Sequence, residues 1–583
     1  MNKNAGPVAP RDPEKKRPYF YLMSDKEIFA APQPDGRGIQ FIYEDDGRMI
    51  TAAKLVGNIE DEEMLDLLKT TAGFRKLVHS IGVSVSAPAE YKGKVRFVLQ
   101  MYGVENPYET GTNIFCDMEP DGSEVTLFLE DVNWGDMDAK PGQIRFEFED
   151  NSFVSYVNVR FYLNDGFTAP EPVIDSAVDF DSDEYAAMIK RSVFDKGNLF
   201  RLRRAIDKAE RGEEVTIACI GGSITQGAGA IPINEKSYAR LFAKGFEETY
   251  SKPGNVRFIK AGVGGTPSEL GMIRYERDVL RDGSEKPDIV VIEFAVNDEG
   301  DETKGDSYGS LIRKVYTGDS DPAVILLFLV FANDWNLQER LSPMGRKYSL
   351  PMVSVLDAVS PQFPLPPKKA GEENKDTRVI SKSQYFYDVY HPTNLGHRVN
   401  ADCLLEMCKC AEESNDTAEP AIPEKEEKDS RFSEVFLLDK KEIKNNPNRF
   451  ACVEEITEGC FDGTDSVLHC VEMDMDLEGT PEFPYNWHSA GGMKKDAPFT
   501  MKIRCKRLLL VMKDTADVSF GTAVIKVDGK EVKSINPNDV GWCHCSPHII
   551  IDNDTEELHT VEIGPADGSE DKLFTILGFG IVS

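Results

Sequence analysis

Ser223 stands in Gly221-Gly222-Ser223-Ile224-Thr225-Gln226-Gly227-Ala228-Gly229, directly after the apolar run Val215-Thr216-Ile217-Ala218-Cys219-Ile220. A serine hydroxyl attacks a carbonyl only when a base takes its proton, and the usual base is an imidazole oriented by a carboxylate. Between residues 190 and 410 the chain has two histidines, His391 and His397. His391 belongs to Asp388-Val389-Tyr390-His391-Pro392, where a carboxylate three residues earlier can fold back onto the ring from the same short loop. Asp388 and His391 are the candidate orienter and base, and His397 reads as a surface or packing residue.

Acyl transfer also needs donors aimed at the oxyanion of the tetrahedral intermediate. Ala261-Gly262-Val263-Gly264-Gly265-Thr266 can bring a backbone N–H close, and Ala295-Val296-Asn297-Asp298 offers a side-chain amide. Each segment also has a plainer reading: a tight bend at the glycines, a turn cap at Asn297, a helix-entry hydrogen bond at Asp388 and His391. The Ser223 loop is no P-loop, since no Gly-Lys-Ser/Thr follows, and it lacks Gly-x-Gly-x-x-Gly spacing. Thr225 in the final glycine position excludes the Gly-x-Ser-x-Gly elbow. The case for a catalytic site is the joint occurrence of these segments in order, each at the end of a strand-like run.

The elements that must position them alternate. Val215 to Ile220, Val256 to Ala261, Asp288 to Ala295, Ala323 to Phe331 and Met352 to Leu356 are apolar runs with helix-length segments between them, the pattern of a parallel sheet covered on both faces. Such sheets collect their sites at the C-terminal ends of the strands. Leu199, Leu202, Ala205, Ile206 and Ala209 recur at helical spacing before Gly212, and Thr393 to Cys410 reads as the last helix.

At these residues the chain resembles the SGNH, or GDSL-like, hydrolases. Their four blocks correspond to Ser223 in Gly221-Gly222-Ser223, Gly265 in Gly262-Val263-Gly264-Gly265, Asn297 in Val296-Asn297-Asp298, and Asp388 with His391. The resemblance covers roughly residues 198 to 410. It implies Ser223 as nucleophile, Asp388 and His391 as the rest of the triad, and an oxyanion hole of the Ser223 N–H, a glycine N–H and the Asn297 amide. The glycine is Gly264 or Gly265, and Gly265 is preferred. Gly222 replaces the usual aspartate and Ala295 a usual glycine. Neither position carries a reacting group, so altered packing of the turn is expected and activity is retained.

Outside this region the chain is β-rich. Val95 to Leu99, Val125 to Leu129, Ile144 to Phe148 and Val154 to Leu163 suggest an antiparallel sandwich, with a helical insert around Glu62 to Val78. Phe499 to Ile503, Arg507 to Met512, Ala523 to Asp528 and His559 to Ile563 suggest another, with Asp528-Gly529 a hairpin turn. Ala411 to Ser430, crowded with Glu, Lys, Pro and Asp, reads as a linker that buries little. The expected organisation is an N-terminal β-rich domain (1–165), a connector (166–197), an SGNH domain (198–410), the linker (411–430) and a C-terminal domain (431–583). The expected fold class is α/β: a three-layer α/β/α parallel sheet flanked by two β-sandwich domains.

Of 583 residues 100 are acidic and 67 basic, a formal charge of −33 that argues against nucleic acid and anionic membrane surfaces as partners. Eleven cysteines without a paired framework suit a reducing compartment. With a start, Met1 to Pro7, that lacks the apolar core of a secretory signal, they give a cytoplasmic location as the expectation. Cys543-His544-Cys545 with His548 has metal-ligand residue types but lacks paired spacing, so neither metal nor organic cofactor is expected. Trp487 and Trp542 read as core or inter-module contacts in preference to sugar platforms. By resemblance to multi-domain carbohydrate esterases, the expected reaction is hydrolysis of small acyl esters, acetyl above all, on saccharides. The alternatives are an esterase of lipid or acyl-thioester substrates and a non-catalytic carbohydrate-binding protein on the same scaffold.

Overall fold

A computed structural model describes residues 16–33, 35–42, 46–104, 110–150, 153–173, 175–367, 377–445, 448–474 and 479–583. The segment Met1 to Pro7, read above for a leader, lies outside the described residues, as does position 174 of the connector. The chain is mixed α/β with several sheets. Its described residues form two compact units, one of the chain up to Val178 with Gln362–Thr393, the other of Asp179–Pro361 with Asn394–Ser583.

The second unit contains a six-stranded sheet in the order Val193–Asp195, Met352–Ser354, Ala323–Phe328, Ile289–Glu293, Val215–Gly221, Val256–Gly262. The last five are the five apolar runs, mutually parallel. Every residue of Val215–Gly221, Ile289–Glu293 and Ala323–Phe328 is buried, which is why these runs show no polar alternation. The sixth strand, Val193–Asp195, pairs antiparallel and was not foreseen: three residues carry too short a pattern to reveal a period. Gly221 faces Gly262 on one side and Glu293 on the other, so three strand ends lie level. The helix expected around Leu199 to Ala209 runs over Phe200–Glu210 and ends before Gly212, which takes the left-handed conformation (φ +78°) expected of a helix stop. The helix expected from Thr393 to Cys410 runs over Asn394–Glu412, and the short helices Glu427–Ser430 and Lys440–Asn445 follow it.

The same unit holds a long antiparallel sheet, ordered Phe436–Leu438, Thr575–Val582, Phe499–Asp514, His544–Pro565, Ala523–Val527, Lys530–Ile535. Two expected strands are one here: Phe499–Asp514 continues through a register shift between Cys505 and Arg507. Asp528 and Gly529 both adopt positive φ, 52° and 78°, and turn Ala523–Val527 into Lys530–Ile535. The acidic segment 411–430 is tied down. Glu419 accepts from Arg201 at 2.9 Å and Arg204 at 2.8 Å, and fully buried Asp429 accepts from the Tyr348 hydroxyl at 2.6 Å and pairs with Lys347 at 2.8 Å.

The first unit has two antiparallel sheets. One is ordered Tyr19–Phe29, Val154–Leu163, Val78–Ser86, Val125–Phe128; the other Ala31–Pro32, Gly38–Ile42, Asp138–Phe148, Val95–Gly103, Asn113–Met118. Residues of both, including Phe20, Phe97, Phe146 and Phe161, share one apolar core. The helical insert splits into Glu62–Leu67 and Thr71–Leu77, because the Thr70 hydroxyl accepts from the Gly73 N–H and caps a fresh helix. No helix among the described residues is long and apolar enough to cross a membrane.

Candidate active site

The buried strand Val215–Gly221 ends in two positions that admit no side chain. A Cβ on Gly221 would sit 2.2 Å from Thr225 Oγ1 and 2.6 Å from the Glu293 carbonyl; one on Gly222 would sit 2.2 Å from Asn297 Oδ1 and 2.7 Å from its Cγ. Gly222 therefore leaves the room that the Asn297 amide occupies. Half-buried Ser223 opens the short helix Ser223–Gln226, which Gly227 ends at φ +114° with its N–H on the Ser223 carbonyl at 3.0 Å.

Two levelled strand ends bring their loops to this turn. A Cβ on Gly264 would lie 3.8 Å from Ser223 Cβ. The Gly264 N–H is committed, donating to Gln226 Oε1 at 3.0 Å. The N–H of Gly265, exposed and at φ +71°, has no partner among the described residues. Nor does the Asn297 side-chain amide. Ser223, Gly265 and Asn297 thus share one corner, with two uncommitted donors beside a hydroxyl.

Buried acids lie beneath it. Glu293 Oε2 accepts from Thr225 Oγ1 at 2.9 Å, and that hydroxyl also meets the Tyr238 hydroxyl at 2.7 Å. Burial pushes the Glu293 carboxyl up to about 8 against the Thr225 and Gly222 hydrogen bonds, so a neutral acid supports the turn at pH 7. Asp298 caps the helix Ser268–Asp278, accepting from the Ser268 N–H at 2.7 Å and its hydroxyl at 2.8 Å, and burial pushes it up to about 7. His397 is fully buried. Its Nδ1 accepts the Tyr238 N–H at 3.1 Å and its Nε2–H donates to the Ala228 carbonyl at 3.0 Å, which settles it as a packing residue.

Asp388 and His391 pair within the first unit. Asp388 Oδ2 lies 2.9 Å from His391 Nδ1, while Oδ1 accepts the N–H groups of Tyr390 at 2.7 Å and His391 at 2.8 Å. Burial pushes this carboxyl up, but the His391 hydrogen bond and charge and the two backbone donors outweigh it and bring it to about 2. A charged carboxylate at Nδ1 fixes the tautomer in which Nε2 carries the lone pair. The segment Gln362–Thr393 is anchored by Arg378, whose guanidinium meets both Asp175 oxygens at 2.6 and 2.9 Å, and by the Gln384 amide on the Ser176 carbonyl at 2.9 Å. Lys26, which nothing in the sequence pattern singles out, donates to the Tyr387 carbonyl at 3.2 Å. Its ammonium lies 3.4 Å from the Tyr387 ring centre. Burial draws Lys26 down to about 7 against the attraction of Asp388.

The C-terminal region adds residues to the Ser223 corner: His469 and Glu472, which sequence reasoning passed over, and His544 and Trp542, which it read as a metal-ligand type and as a core or inter-module contact. A Cβ on Gly265 would sit 2.9 Å from Trp542 Cζ2 and 3.2 Å from His544 Nε2, and one on Gly264 would sit 3.7 Å from His469 Cε1. Glu472 accepts from the Gln226 amide at 2.7 Å. The two tryptophans part company: Trp487 is buried and donates to Glu458 at 3.1 Å, whereas Trp542 is 43 % exposed with its ring 4.5 Å from that of His544. His544 bonds Asp514, and His548 meets Glu302. Among the described residues no group of three or more His, Cys, Asp and Glu could hold a metal ion.

A sequence profile of the GDSL-like lipase/acylhydrolase family matches residues 219–399. No curated protein sequence matches the chain. Among solved structures, a two-domain esterase (CEX) active on acetylated mannans is similar at 25 % identity and a TM-score of 0.55, over 68 % of this chain and 99 % of that one. Its form co-crystallized with mannopentaose matches at 26 % identity and a TM-score of 0.54, over the same shares. Together with the uncommitted donors beside Ser223, these likenesses identify residues 219–399 as a GDSL-like lipase/acylhydrolase domain and the chain as a carboxylic ester hydrolase.

Proposed function

We propose that this hydrolase removes acetyl groups from saccharides through a Ser–His–Asp triad. Ser223 attacks the ester carbonyl, and His391, oriented by Asp388, takes the hydroxyl proton and returns it to the departing sugar alcohol. The N–H groups of Ser223 and Gly265 and the Asn297 amide receive the oxyanion. Water then attacks the acetyl-enzyme, with His391 again as base, and acetate leaves. The observation that carries this reading is the pair of uncommitted donors, Gly265 N–H and Asn297 Nδ2, flanking the Ser223 turn.

The saccharide half of the reading draws on likeness to the acetylmannan esterase and on the corner itself, where exposed Trp542 and the polar groups of His469, Glu472 and Gln226 suit a sugar better than an acyl chain. In this reading the central sheet is the middle of a three-layer α/β/α module, and the β-rich regions before and after it in the sequence are sandwich modules. Eleven cysteines without a paired framework in the sequence fit work in a reducing compartment on acetylated oligosaccharides already taken up. The test is acetate release from acetylated manno- and xylo-oligosaccharides, alongside a series of p-nitrophenyl esters of rising chain length. Release that Ser223→Ala abolishes, with acetyl preferred in the series, is the expected result. An undiminished rate in Ser223→Ala sinks the triad, and a preference for chains of eight or more carbons turns the assignment to lipid esters.

A further inference from the structure

A second carboxylate–imidazole pair stands at the Ser223 corner, and the hydrolytic mechanism has no use for it. Asp514 and His544 face each other at the end of the antiparallel ladder between Phe499–Asp514 and His544–Pro565. Asp514 Oδ2 lies 3.0 Å from His544 Nδ1 and also accepts from the Ser546 hydroxyl. Both members are buried, Asp514 at 3 % and His544 at 6 % exposure. The carboxylate holds the proton on Nδ1, which leaves Nε2 as a lone-pair acceptor. That Nε2 is buried and has no hydrogen-bond partner among the described residues. Buried acceptors are almost always satisfied, so one left open next to a site calls for a ligand donor.

The open nitrogen lies against the Gly265 loop. It lies 3.2 Å from where a Cβ on Gly265 would stand, against the same loop whose N–H is uncommitted. The exposed Trp542 ring packs on the His544 ring and on the same glycine. This pair is not a second hydrolytic triad. A serine nucleophile would have to meet Nε2, whereas Ser546 lies on the Nδ1 side, 3.4 Å from Nδ1, and donates to the carboxylate.

We propose that His544, its tautomer locked by Asp514, determines specificity by accepting a hydrogen bond at Nε2 from a free hydroxyl of the saccharide, next to the acetylated position. Trp542 supplies the face on which the ring of that sugar rests. A site built to receive a hydroxyl hydrogen discriminates strongly against an ester that lacks one, because the buried acceptor is then left unpaired. The assignment rests on the saccharide esterase reading above.

The experiment compares kcat/KM on an acetylated manno-oligosaccharide with kcat/KM on p-nitrophenyl acetate, which has no neighbouring hydroxyl. His544→Asn keeps an amide N–H near the place of Nδ1 for Asp514 and removes the acceptor at Nε2; Trp542→Ala, at an exposed position, provides a second variant. In each the ratio of saccharide to p-nitrophenyl acetate efficiency falls about tenfold, carried mainly by KM for the saccharide. A ratio that does not move in either variant overturns the assignment while leaving the esterase reading intact. Wild-type protein that cleaves p-nitrophenyl acetate but frees no acetate from any saccharide overturns both.

Discussion

Asp388–His391 and Asp514–His544 have nearly the same geometry, with carboxylate to Nδ1 distances of 2.9 and 3.0 Å, yet they are assembled in opposite ways. The first closes within one loop, three residues apart, with backbone N–H groups completing the carboxylate shell. The second joins residues 30 apart through strand register, with a serine hydroxyl as the extra donor. The first ring is partly exposed, at 17 % of its side-chain surface, and the second is buried, at 6 %. The difference teaches that a carboxylate on an imidazole is only a way of fixing a tautomer. What Nε2 faces decides whether the ring moves a proton or reads a hydroxyl.

Substituting the two aspartates is the sharpest way to break that comparison. Asp388→Asn reverses the tautomer of the base and is expected to lower kcat about 10⁴-fold on every ester. Asp514→Asn is expected to cost about tenfold, on saccharide esters alone and in KM. Steady-state kinetics on the two substrate types check both, and equal losses in the two variants would erase the distinction.

Gly222→Ala comes next. The added methyl collides with the Asn297 amide, so the variant loses one oxyanion donor, and kcat should fall about 10²- to 10³-fold with KM little changed. A crystal structure of the variant should show the Asn297 side chain displaced. A kcat within a few-fold of the parent would mean Asn297 is not a donor.

The smallest effect is thermodynamic. Glu293 is raised in the folded state from 4.5 to about 8, so its contribution to stability is fully present below pH 4.5 and is lost as pH rises through 8. The decline is at most about 1.4 kcal/mol per pH unit across that window. Glu293→Gln removes the titration, so melting temperatures measured from pH 5 to 8 should shift in favour of the variant as pH rises. Parallel curves for the two proteins would show that Glu293 is already ionised.

The parallel sheet was legible because strands buried on both faces are uninterrupted apolar runs, and Val215–Gly221 and Ala323–Phe328 appear where those runs lie. The loop Asp388 to His391 was legible because its hydrogen bonds span three residues. Gly222 was visible as a departure from the family pattern, but its reason, the Asn297 amide, comes from a neighbouring strand end. Residues joined by register or by packing between modules gave no signal. His544 reads in sequence only as a metal-ligand type, Trp542 reads like Trp487 as a core or inter-module contact in preference to a sugar platform, and Lys26 meets a carbonyl 361 positions away. The Cys-His-Cys spelling around His544 records strand alternation: Cys545 turns into the core while His544 turns to Asp514.

The acidic stretch before the C-terminal sheet has a consequence for anyone dividing this protein. Its composition marks it as a place to cut, but Glu419 clasps Arg201 and Arg204, and Asp429 sits fully enclosed against Tyr348 and Lys347. Severing the chain ahead of it would strand three cationic side chains and a phenol without their counterparts on the piece that keeps Ser223. Domain shuffling at this point would therefore have to transplant the strap along with the hydrolase, as part of its surface.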